Sequence, residues 1–467
     1  MSNFALTSLA LSSVCPTNKV IVDDKGDPSV MVERPAQMLN ALLTNGDSTV
    51  HPAFLVNGVQ RKKLAFGKFQ SIVHNSRTYS LPNEDPAANI TLDEIEQYSK
   101  NKGNGFHCIT YMEWGFLALL AKKNGTMPKG NNNYGKDSSE TAIVAIPTFI
   151  DTGAGNKTGR VATGTGPVTW SDTGAMDGVW DLNGNVWEWI RGVRLVCGEL
   201  QVIPYNNAAD ASVNTGASSN EWRALNASAT SYNDLFVVPD GKGTTAGTVK
   251  LDWVSGHWQW GTSIADASDT SRYASFAKTT ASGLSATAKL YLQAMAFLPE
   301  DGASDADYGN DVFWANNAAA ERCAYRGGSY TPKEPKAPGE ATKPKPFFLK
   351  EKISEMMKYG MPLVDAFPRR ERKLADILRD SMLEMYRLAT RLERKYYKKT
   401  TLEDLDIELA VLKEFVIVAS DKDYRGQKYA PPLTLHQREV WSSFNREIGC
   451  MIGGYMESVK NGPAKKE

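Results

Sequence analysis

The chain has 467 residues, with 53 Lys and Arg against 53 Asp and Glu and a hydrophobic content of 42%. This length predicts two or three domains, each large enough to bury its own core. The composition argues against a membrane protein, because no apolar run approaches the roughly 20 residues needed to cross a bilayer. Residues 5–12 are mildly apolar but follow no basic segment, so a secretory signal is not expected.

The cysteines are odd in number and far apart, and no two form a CxxC pair. They are Cys15, Cys108, Cys197, Cys323 and Cys450. This pattern argues against a disulfide framework and against a zinc site, and it fits a reducing compartment. The expected location is therefore the cytoplasm, with no membrane partner.

The formal net charge of zero hides an asymmetry between the two parts of the chain. Residues 331–467 contain 27 Lys and Arg and 21 Asp and Glu, a net charge of +6, which leaves −6 on residues 1–330. Opposite charges suggest different partners for the two parts. The basic part is the candidate for contact with a polyanion.

The N-terminal part begins with residues 1–50, which show no clear period and are interpreted as an N-terminal extension. From His51 the pattern favours hairpins with a turn at Asn57-Gly58. The strands expected there are residues 53–56, 63–69 and 71–73.

Two helices are predicted next. The first, Thr91–Lys100, has a Thr N-cap and acidic residues in its first turn. The second runs from Tyr111 to Lys123 and ends at Asn124-Gly125. Its buried side is expected to carry Trp114, Leu117, Ala118 and Leu120. Residues 125–175 and 204–310 are dominated by small and polar residues and are expected to be long loops.

The segment Gly178–Trp189, GVWDLNGNVWEW, holds three tryptophans in twelve residues and has neither a helical nor a strand period. Asn183-Gly184 is a strong turn signal, because both residues tolerate positive φ. A fixed, largely buried loop that seals a core is expected, with a rigid aromatic platform for a ligand as the alternative.

Together with Arg326-Gly-Gly-Ser-Tyr330, this segment resembles the paired signature of the formylglycine-generating-enzyme type of C-type lectin fold. Ile109–Trp114 and Gly125–Tyr134 agree with it. The four motifs most resemble the variable (target) proteins of diversity-generating retroelements, especially those of phages. The resemblance covers roughly residues 50–330 and implies an α+β C-type lectin domain over residues 51–330. Its motif residues here are Trp180, Asn183, Gly184, Asn185, Trp187, Glu188, Trp189, Arg326, Gly327 and Gly328.

The same resemblance bears on catalysis and on metal binding. Formylglycine-generating enzymes use a cysteine pair after the RGGS motif, whereas this chain has no cysteine between Cys323 and Cys450. An enzyme is therefore not expected, and no cofactor is expected except calcium. Calcium is a candidate at Asn185 and Glu188, which offer hard oxygen ligands. The alternative is that Asn185 holds the turn and Glu188 bonds buried backbone amides.

After Tyr330 the sequence changes abruptly. Residues 331–346 alternate prolines with charged residues and are predicted to be an extended linker. In retroelement target proteins the variable repeat follows the RGGS motif, and it is missing here. The lectin-like domain therefore lacks the strands that would complete its binding face.

Residues 347–460 have a helical period and predict a four-helix bundle, followed by a tail at 461–467. A first helix over residues 348–360 is expected to end at Gly360 and Pro362, and a second begins at Pro368. A capping box at Thr400–Glu403 precedes a third helix, and Leu435–Val459 forms the fourth. Gly449, Gly453 and Gly454 predict a close approach of another helix.

The sequence of this predicted bundle resembles the accessory variability determinant (Avd) of diversity-generating retroelements. The resemblance rests on FPRRER at Phe367–Arg372, the basic end Arg391–Lys399 and IGCMIGGY at Ile448–Tyr455. It implies a pentameric homo-oligomer that binds the reverse transcriptase and the structured template RNA of the element.

Two clusters of cations are the candidates for this contact, since a phosphate backbone needs clustered positive charge. They are Arg369, Arg370, Arg372, Lys373 and Arg379 in the first, and Arg391, Arg394, Lys395, Lys398 and Lys399 in the second. The alternative is a solvated helix face whose charges pair locally.

Two function classes remain open. The chain is either a non-catalytic component of a retroelement that assists mutagenic copying, or a display protein in which a helical ring multimerises lectin-like heads on a phage particle. A bacterial host, with the chain encoded by the host or by a phage, is expected in both cases.

Overall fold

The computed structural model describes residues 4–331, 348–394, 399–423 and 429–460. The chain divides into two compact units, Met1–Glu334 and Pro335–Glu467. The predicted linker lies almost entirely outside the described residues, and the predicted tail lies wholly outside them. Among the described residues, no helix combines the length and the apolar character that a membrane crossing would require.

The N-terminal unit is rich in short strands. They are β1 Asn18–Val22, β2 Pro28–Pro35, β3 Leu55–Val56, β4 Val59–Gln60, β5 Lys63–Gly67, β6 Ser71–His74, β7 Arg77–Ser80, β8 Ile150–Asp151, β9 Lys157–Thr158, β10 Glu188–Val196, β11 Glu199–Val202, β12 Arg223–Leu225, β13 Phe236–Val237, β14 Lys250–Val254, β15 His257–Gly261, β16 Arg272–Ser275, β17 Thr280–Ala281, β18 Val312–Ala315 and β19 Arg322–Arg326. Its α-helices are α1 Ala5–Val14, α2 Leu92–Lys100, α3 Tyr111–Asn124 and α4 Ala286–Ala294.

The largest sheet in the described residues has eight strands. Six follow the order β13-β12-β11-β14-β15-β17, while β10 pairs with β11 and with β19. All of these pairs are antiparallel except β15 with β17. Smaller sheets are β1-β2-β5, β3-β4, β6-β7, β8-β9 and β16-β18. The N-terminal unit is therefore sheet-rich, as expected.

Helix α3 lies at the centre of this unit and packs against β10 and α4. The helix carries three large aromatic residues, Tyr111, Trp114 and Phe116, and all three are buried. The predicted N-cap at Thr91, the helix start at Tyr111 and the stop at Gly125, which has φ 68°, are confirmed. Thr91 and Thr110 each form a capping box with the Glu three residues later, which was not predicted. Residues 53 and 54 were predicted as strand, but they lie in a 3-10 turn that begins with Pro52.

Residues 18–50 pack into the same unit as the strands that follow them. Strand β2 pairs with β1 on one side and with β5 on the other. Leu39, Leu42 and Leu43 are buried in the main core. Arg34 Nη2 donates to both carboxylate oxygens of Asp172, at 2.8 and 2.9 Å, in a buried contact that ties β2 to the loop before Gly178.

The C-terminal unit is helical, as expected. Its helices are α5 Phe348–Asp365, α6 Arg372–Arg394, α7 Lys399–Ser420 and α8 Leu435–Lys460. Helix α5 packs against α6 and α8, and α7 packs against the same two helices. Their shared core contains Ile353, Leu378, Leu409, Trp441 and Ile448, all of which are buried.

Helix α5 is longer than the sequence predicted. The helix was expected to end at Gly360 and Pro362, but it continues through both residues to Asp365. A Cβ atom on Gly360 would lie 2.6 Å from Trp441 Cζ2 and 2.8 Å from Met382 Sδ, so this glycine makes room for the buried indole. Helix α6 follows a 3-10 turn, Arg369–Glu371, that begins directly after Pro368.

The glycines of α8 do not all mark a helix contact. A Cβ atom on Gly449 would make ordinary contact with Leu409 and Lys413, both at 3.5 Å. Gly453 is exposed and has nothing within 4 Å of its Cβ position among the described residues. The close approach predicted at Gly453 is therefore wrong within this unit.

Candidate functional site

The Gly178–Trp189 segment is only partly the buried loop that its sequence predicts. Trp180 is buried, and its backbone N–H donates to the Lys68 carbonyl at 2.7 Å. Trp187 is instead 52% exposed and meets the Tyr325 ring edge-on at 4.6 Å. Glu188 and Trp189 already belong to β10. Trp187 therefore does not seal a core.

The Asn183-Gly184 turn brings distant loops together. Asn183 Nδ2 donates to the Pro128 carbonyl at 3.0 Å, and the Gly184 N–H donates to the Gly327 carbonyl at 2.7 Å. Gly184 has φ 82°, and a Cβ atom there would lie 2.2 Å from the Asn131 oxygen. Only glycine fits this position.

Asn185 is fully buried and its side-chain amide is fully hydrogen-bonded. Its Oδ1 accepts from the Val161 N–H at 2.9 Å and from Asn131 Nδ2 at 3.1 Å. Its Nδ2 donates to Gln70 Oε1 and to the Val161 carbonyl, both at 3.1 Å. A side-chain amide has two acceptor and two donor positions, and all four are used here. Asn185 thus holds the turn.

The two signature motifs meet in the sheet, where Glu188 of β10 pairs with Arg326 of β19. The Arg326 guanidinium is buried over the Phe297 ring at 4.4 Å and donates to the carbonyls of Met295 and Ala296 at 3.0 and 3.1 Å. Burial lowers the pKa of Arg326 to about 10. Gly327 and Gly328 follow with φ 85° each. Arg326 therefore has a structural role here.

Glu188 lies beside Gln70 and near a second buried carboxyl, Asp181. Gln70 Nε2 is 2.9 Å from Glu188 Oε1. Burial raises the pKa of Glu188 to about 8. The hydrogen bond from Gln70 lowers this pKa, and the nearby Asp181 carboxyl raises it further. Burial likewise raises the pKa of Asp181 to about 7, opposed by the N–H of Gly164. Asp181 Oδ1 has no hydrogen-bond partner among the described residues.

A cleft of about 220 Å³ opens beside Glu188, and both apolar and polar residues line it. Its polar groups include Lys102, whose Nζ donates to Ser29 Oγ at 2.8 Å and lies over the Tyr79 and Phe106 rings. Cys108 also lines it, and burial raises the pKa of its thiol above the usual range. In the described residues, no three His, Cys, Asp or Glu side chains are grouped so that they could hold a metal ion.

The first cationic cluster lies where α6 begins. We call Arg369, Arg370, Arg372 and Lys373 the basic cluster; all four side chains are exposed. Arg370 lies over the Tyr429 ring at 4.4 Å and 3.5 Å from the buried Glu371 carboxylate. The other three cations make no ion pair with any described residue, so their charge faces solvent.

The remaining predicted cations differ in their surroundings. The Arg379 guanidinium contacts the carboxylates of Asp365 and Asp376, each at 2.8 Å, so its charge is already compensated. Arg391 is exposed on the last turns of α6. Lys395 and Lys398 lie outside the described residues. Arg394 ends α6 and Lys399 begins α7.

Helix α7 carries an exposed apolar stripe that the sequence analysis did not single out. Ile407, Val411 and Ile417 are 62%, 36% and 39% exposed. The exposed charges of its described side chains are all acidic, at Glu403, Asp404, Asp406 and Glu414. The sequence shows the 3-4 spacing of the buried leucines of this helix. The additional apolar residues between those leucines were the signal that could have indicated the exposed stripe.

Helix α6 also exposes large apolar residues. Leu383 and Tyr386 lie three residues apart on one side of the helix and are 40% and 36% exposed, whereas Ile377, 38% exposed, lies opposite Tyr386. The exposed charges of its described side chains are predominantly basic, with Arg372, Lys373, Arg387 and Arg391 against Asp376 and Asp380. One helix thus offers apolar residues among acids, and its neighbour offers apolar residues among bases.

Comparison with known proteins identifies only the helical unit. Residues 347–459 match the family model described as bAvd-like. No curated protein matches the chain. The C-terminal unit therefore contains a bAvd-like domain, which associates the chain with the accessory variability determinants of diversity-generating retroelements.

Proposed function

We propose that this chain is a non-catalytic component of a diversity-generating retroelement. Its four C-terminal helices form a bundle that assembles into a homo-oligomeric ring, a pentamer, and binds the reverse transcriptase and the template RNA. The bAvd-like match over residues 347–459 carries this proposal.

The basic cluster supports the RNA contact. Its members are exposed and lie in the 3-10 turn before α6 and in the first turn of α6. Arg369, Arg372 and Lys373 make no ion pair with a described carboxylate. Neutralisation of phosphates by such residues releases counterions, which makes the affinity depend steeply on salt. Arg379 contributes less to this contact, because Asp365 and Asp376 already compensate its charge.

The faces of α6 and α7 support the ring. Ile407 and Val411 are exposed on α7, and Leu383 and Tyr386 on α6; the exposed charges are acidic on α7 and predominantly basic on α6. If the α7 face of one copy packs on the α6 face of the next, the contact is heterologous, and such contacts generate closed rings when the rotation closes. Charge complementarity would fix the register and exclude an α7–α7 contact.

The N-terminal unit would then be a lectin-like target-protein domain without its variable repeat. The adjacency of the two motifs through the β10–β19 pair is consistent with this assignment. Because the repeat is missing, we assign no ligand to this unit. In the proposed assembly, the oligomer carries one such unit on each chain.

Binding of the template RNA to the full chain, measured as a function of salt, tests the proposal. We expect the triple variant Arg369→Ala, Arg372→Ala, Lys373→Ala to bind more weakly. Its slope of log affinity against log salt should fall by roughly 0.7 for each lost contact to single-stranded phosphate. A matched control is Lys358→Ala, Arg438→Ala, Arg446→Ala, which removes equal charge from cations that make no ion pair with a described residue.

Equal losses in both triple variants would show that only net charge matters and that the basic cluster is not the contact. A stable ring with no RNA affinity at low salt would contradict the accessory role. That result would favour the display protein, in which the ring only multimerises the N-terminal units.

A further inference from the structure

The Gln70 side chain ends inside a shell of oxygen atoms. Its Nε2 lies 2.9 Å from the Asp181 carbonyl, 3.3 Å from the Gly184 carbonyl, 3.2 Å from the Val186 carbonyl and 2.9 Å from Glu188 Oε1. Three backbone oxygens and one carboxyl oxygen therefore converge on one nitrogen. Backbone carbonyls together with a carboxylate are the ligand set that a hard cation such as Ca²⁺ prefers.

The distances decide between an amide and a calcium ion at the centre of this shell. Ca²⁺ takes oxygen ligands at 2.3–2.6 Å, whereas N–H···O bonds span about 2.7–3.2 Å. The oxygens around Gln70 lie in the second range. Calcium as expected at Asn185 and Glu188 therefore does not fit the site as it stands, since Gln70 fills its centre and Asn185 has no free oxygen position.

The Gln70 amide is also held in place from its other side, because Gln70 Oε1 accepts from Asn185 Nδ2 at 3.1 Å. Asn185 is in turn hydrogen-bonded to Val161 and Asn131. The amide is therefore a fixed part of this loop.

We propose that the Gln70 amide stands in the position of a cation, so that the N-terminal unit folds without calcium, and that removal of this amide leaves a calcium-binding oxygen shell. This inference concerns the loop alone and holds whether or not the C-terminal unit binds RNA.

The test is thermal unfolding of the full chain in EDTA and in millimolar CaCl₂. Ten of the 11 tryptophans precede residue 331, so tryptophan fluorescence reports mainly on the N-terminal unit. The wild-type midpoint should be the same in both solutions. Gln70→Ala should unfold several degrees lower in EDTA and regain most of that loss in CaCl₂. Calorimetric titration should detect Ca²⁺ binding to Gln70→Ala and none to the wild type.

Gln201→Ala is the matched control. Gln201 is also buried, and it also bonds a carboxylate, with Nε2 at 2.9 Å from Glu199 Oε1. Its removal should lower the midpoint equally in both solutions. If Gln70→Ala does not fold in EDTA, Gln70→Glu keeps the shape and adds a carboxylate, and it should fold only when CaCl₂ is present.

Two results would overturn the proposal. A wild-type midpoint that rises in CaCl₂ would mean that the unit uses calcium despite the amide. A Gln70→Ala variant, or a Gln70→Glu variant, whose midpoint does not respond to CaCl₂ would mean that the shell around Gln70 is an ordinary hydrogen-bond site.

Discussion

Two helical glycines in the C-terminal unit have opposite surroundings. Gly360 of α5 lies against Trp441, which is fully buried, while Gly453 of α8 has open space at its Cβ position among the described residues. Glycine costs about 1 kcal/mol relative to alanine in a helix interior. At Gly360 this cost is offset by the packing of an indole, and at Gly453 the unit shows no such gain.

We therefore expect Gly360→Ala and Gly453→Ala to change stability in opposite directions. The first should destabilise the helical unit by about 1–3 kcal/mol, because overpacking a filled core outweighs the helix propensity gained. The second should stabilise it by up to about 1 kcal/mol. Urea unfolding followed by circular dichroism at 222 nm measures both. A destabilised Gly453→Ala variant would show instead that another surface packs on that face of α8.

Asp181 is a residue whose stability contribution depends on pH. Burial raises its pKa to about 7 from 3.8, so the folded state holds a proton that the unfolded state releases between these values. Stability due to this group is therefore present below pH 4 and is lost as pH rises to about 7 and above. Relative to the wild type, Asp181→Asn should gain up to about 1.4 kcal/mol per pH unit between pH 5 and 7.

The matched control for this experiment is Asp234→Asn. Hydrogen bonds from Thr230 and Ser231 lower the pKa of Asp234 to about 2. The stability difference between this variant and the wild type should therefore stay constant from pH 5 to 9. Fluorescence-monitored unfolding across that range gives both differences, and a flat difference for Asp181→Asn would refute a raised Asp181 pKa.

At the scale of single elements, local sequence predicted helix starts better than helix ends or strand faces. The N-cap at Thr91 depends on local sequence and was predicted, although the capping boxes that Thr91 and Thr110 form were not. The capping box predicted at Thr400–Glu403 is wrong, because α7 includes Lys399 and Thr400 lies inside the helix. The continuation of α5 through Gly360 and Pro362 was not predicted, because both residues disfavour a helix locally and the packing of Gly360 against Trp441 involves a distant helix. The convergence of oxygens on Gln70 likewise depends on contacts between segments more than 100 residues apart. The exposure of Trp187 was also not predicted.

The exposed stripes on α6 and α7 yield a prediction about assembly. Ile407→Glu places a charge in the centre of the proposed α7 contact, where a buried unpaired carboxylate is costly. We expect this variant to lose the oligomer and to sediment as a single chain. Leu435→Glu makes the same change at a residue 58% exposed at the start of α8, and it should leave the oligomer intact. An unchanged mass for Ile407→Glu would place the contact elsewhere.

At the scale of the whole molecule, the chain joins an acidic, sheet-rich unit to a basic, helical one. The sequence predicted this division because the hydrophobic period changes from two to 3.6 after a Pro-rich stretch. The order of the strands in the N-terminal unit could not be predicted from the sequence. Its eight-stranded sheet joins β10 to β19 across more than 100 residues, which were expected to be mainly loop but contain β11–β18 and α4. No local pattern encodes such a pairing.

The mass of the full chain in solution, measured by light scattering alone and after addition of the reverse transcriptase and template RNA of the element, tests the proposed function most directly. We expect a particle of five chains that gains the mass of both partners at low salt and releases the RNA at high salt. A single chain that gains no mass from either partner would contradict it.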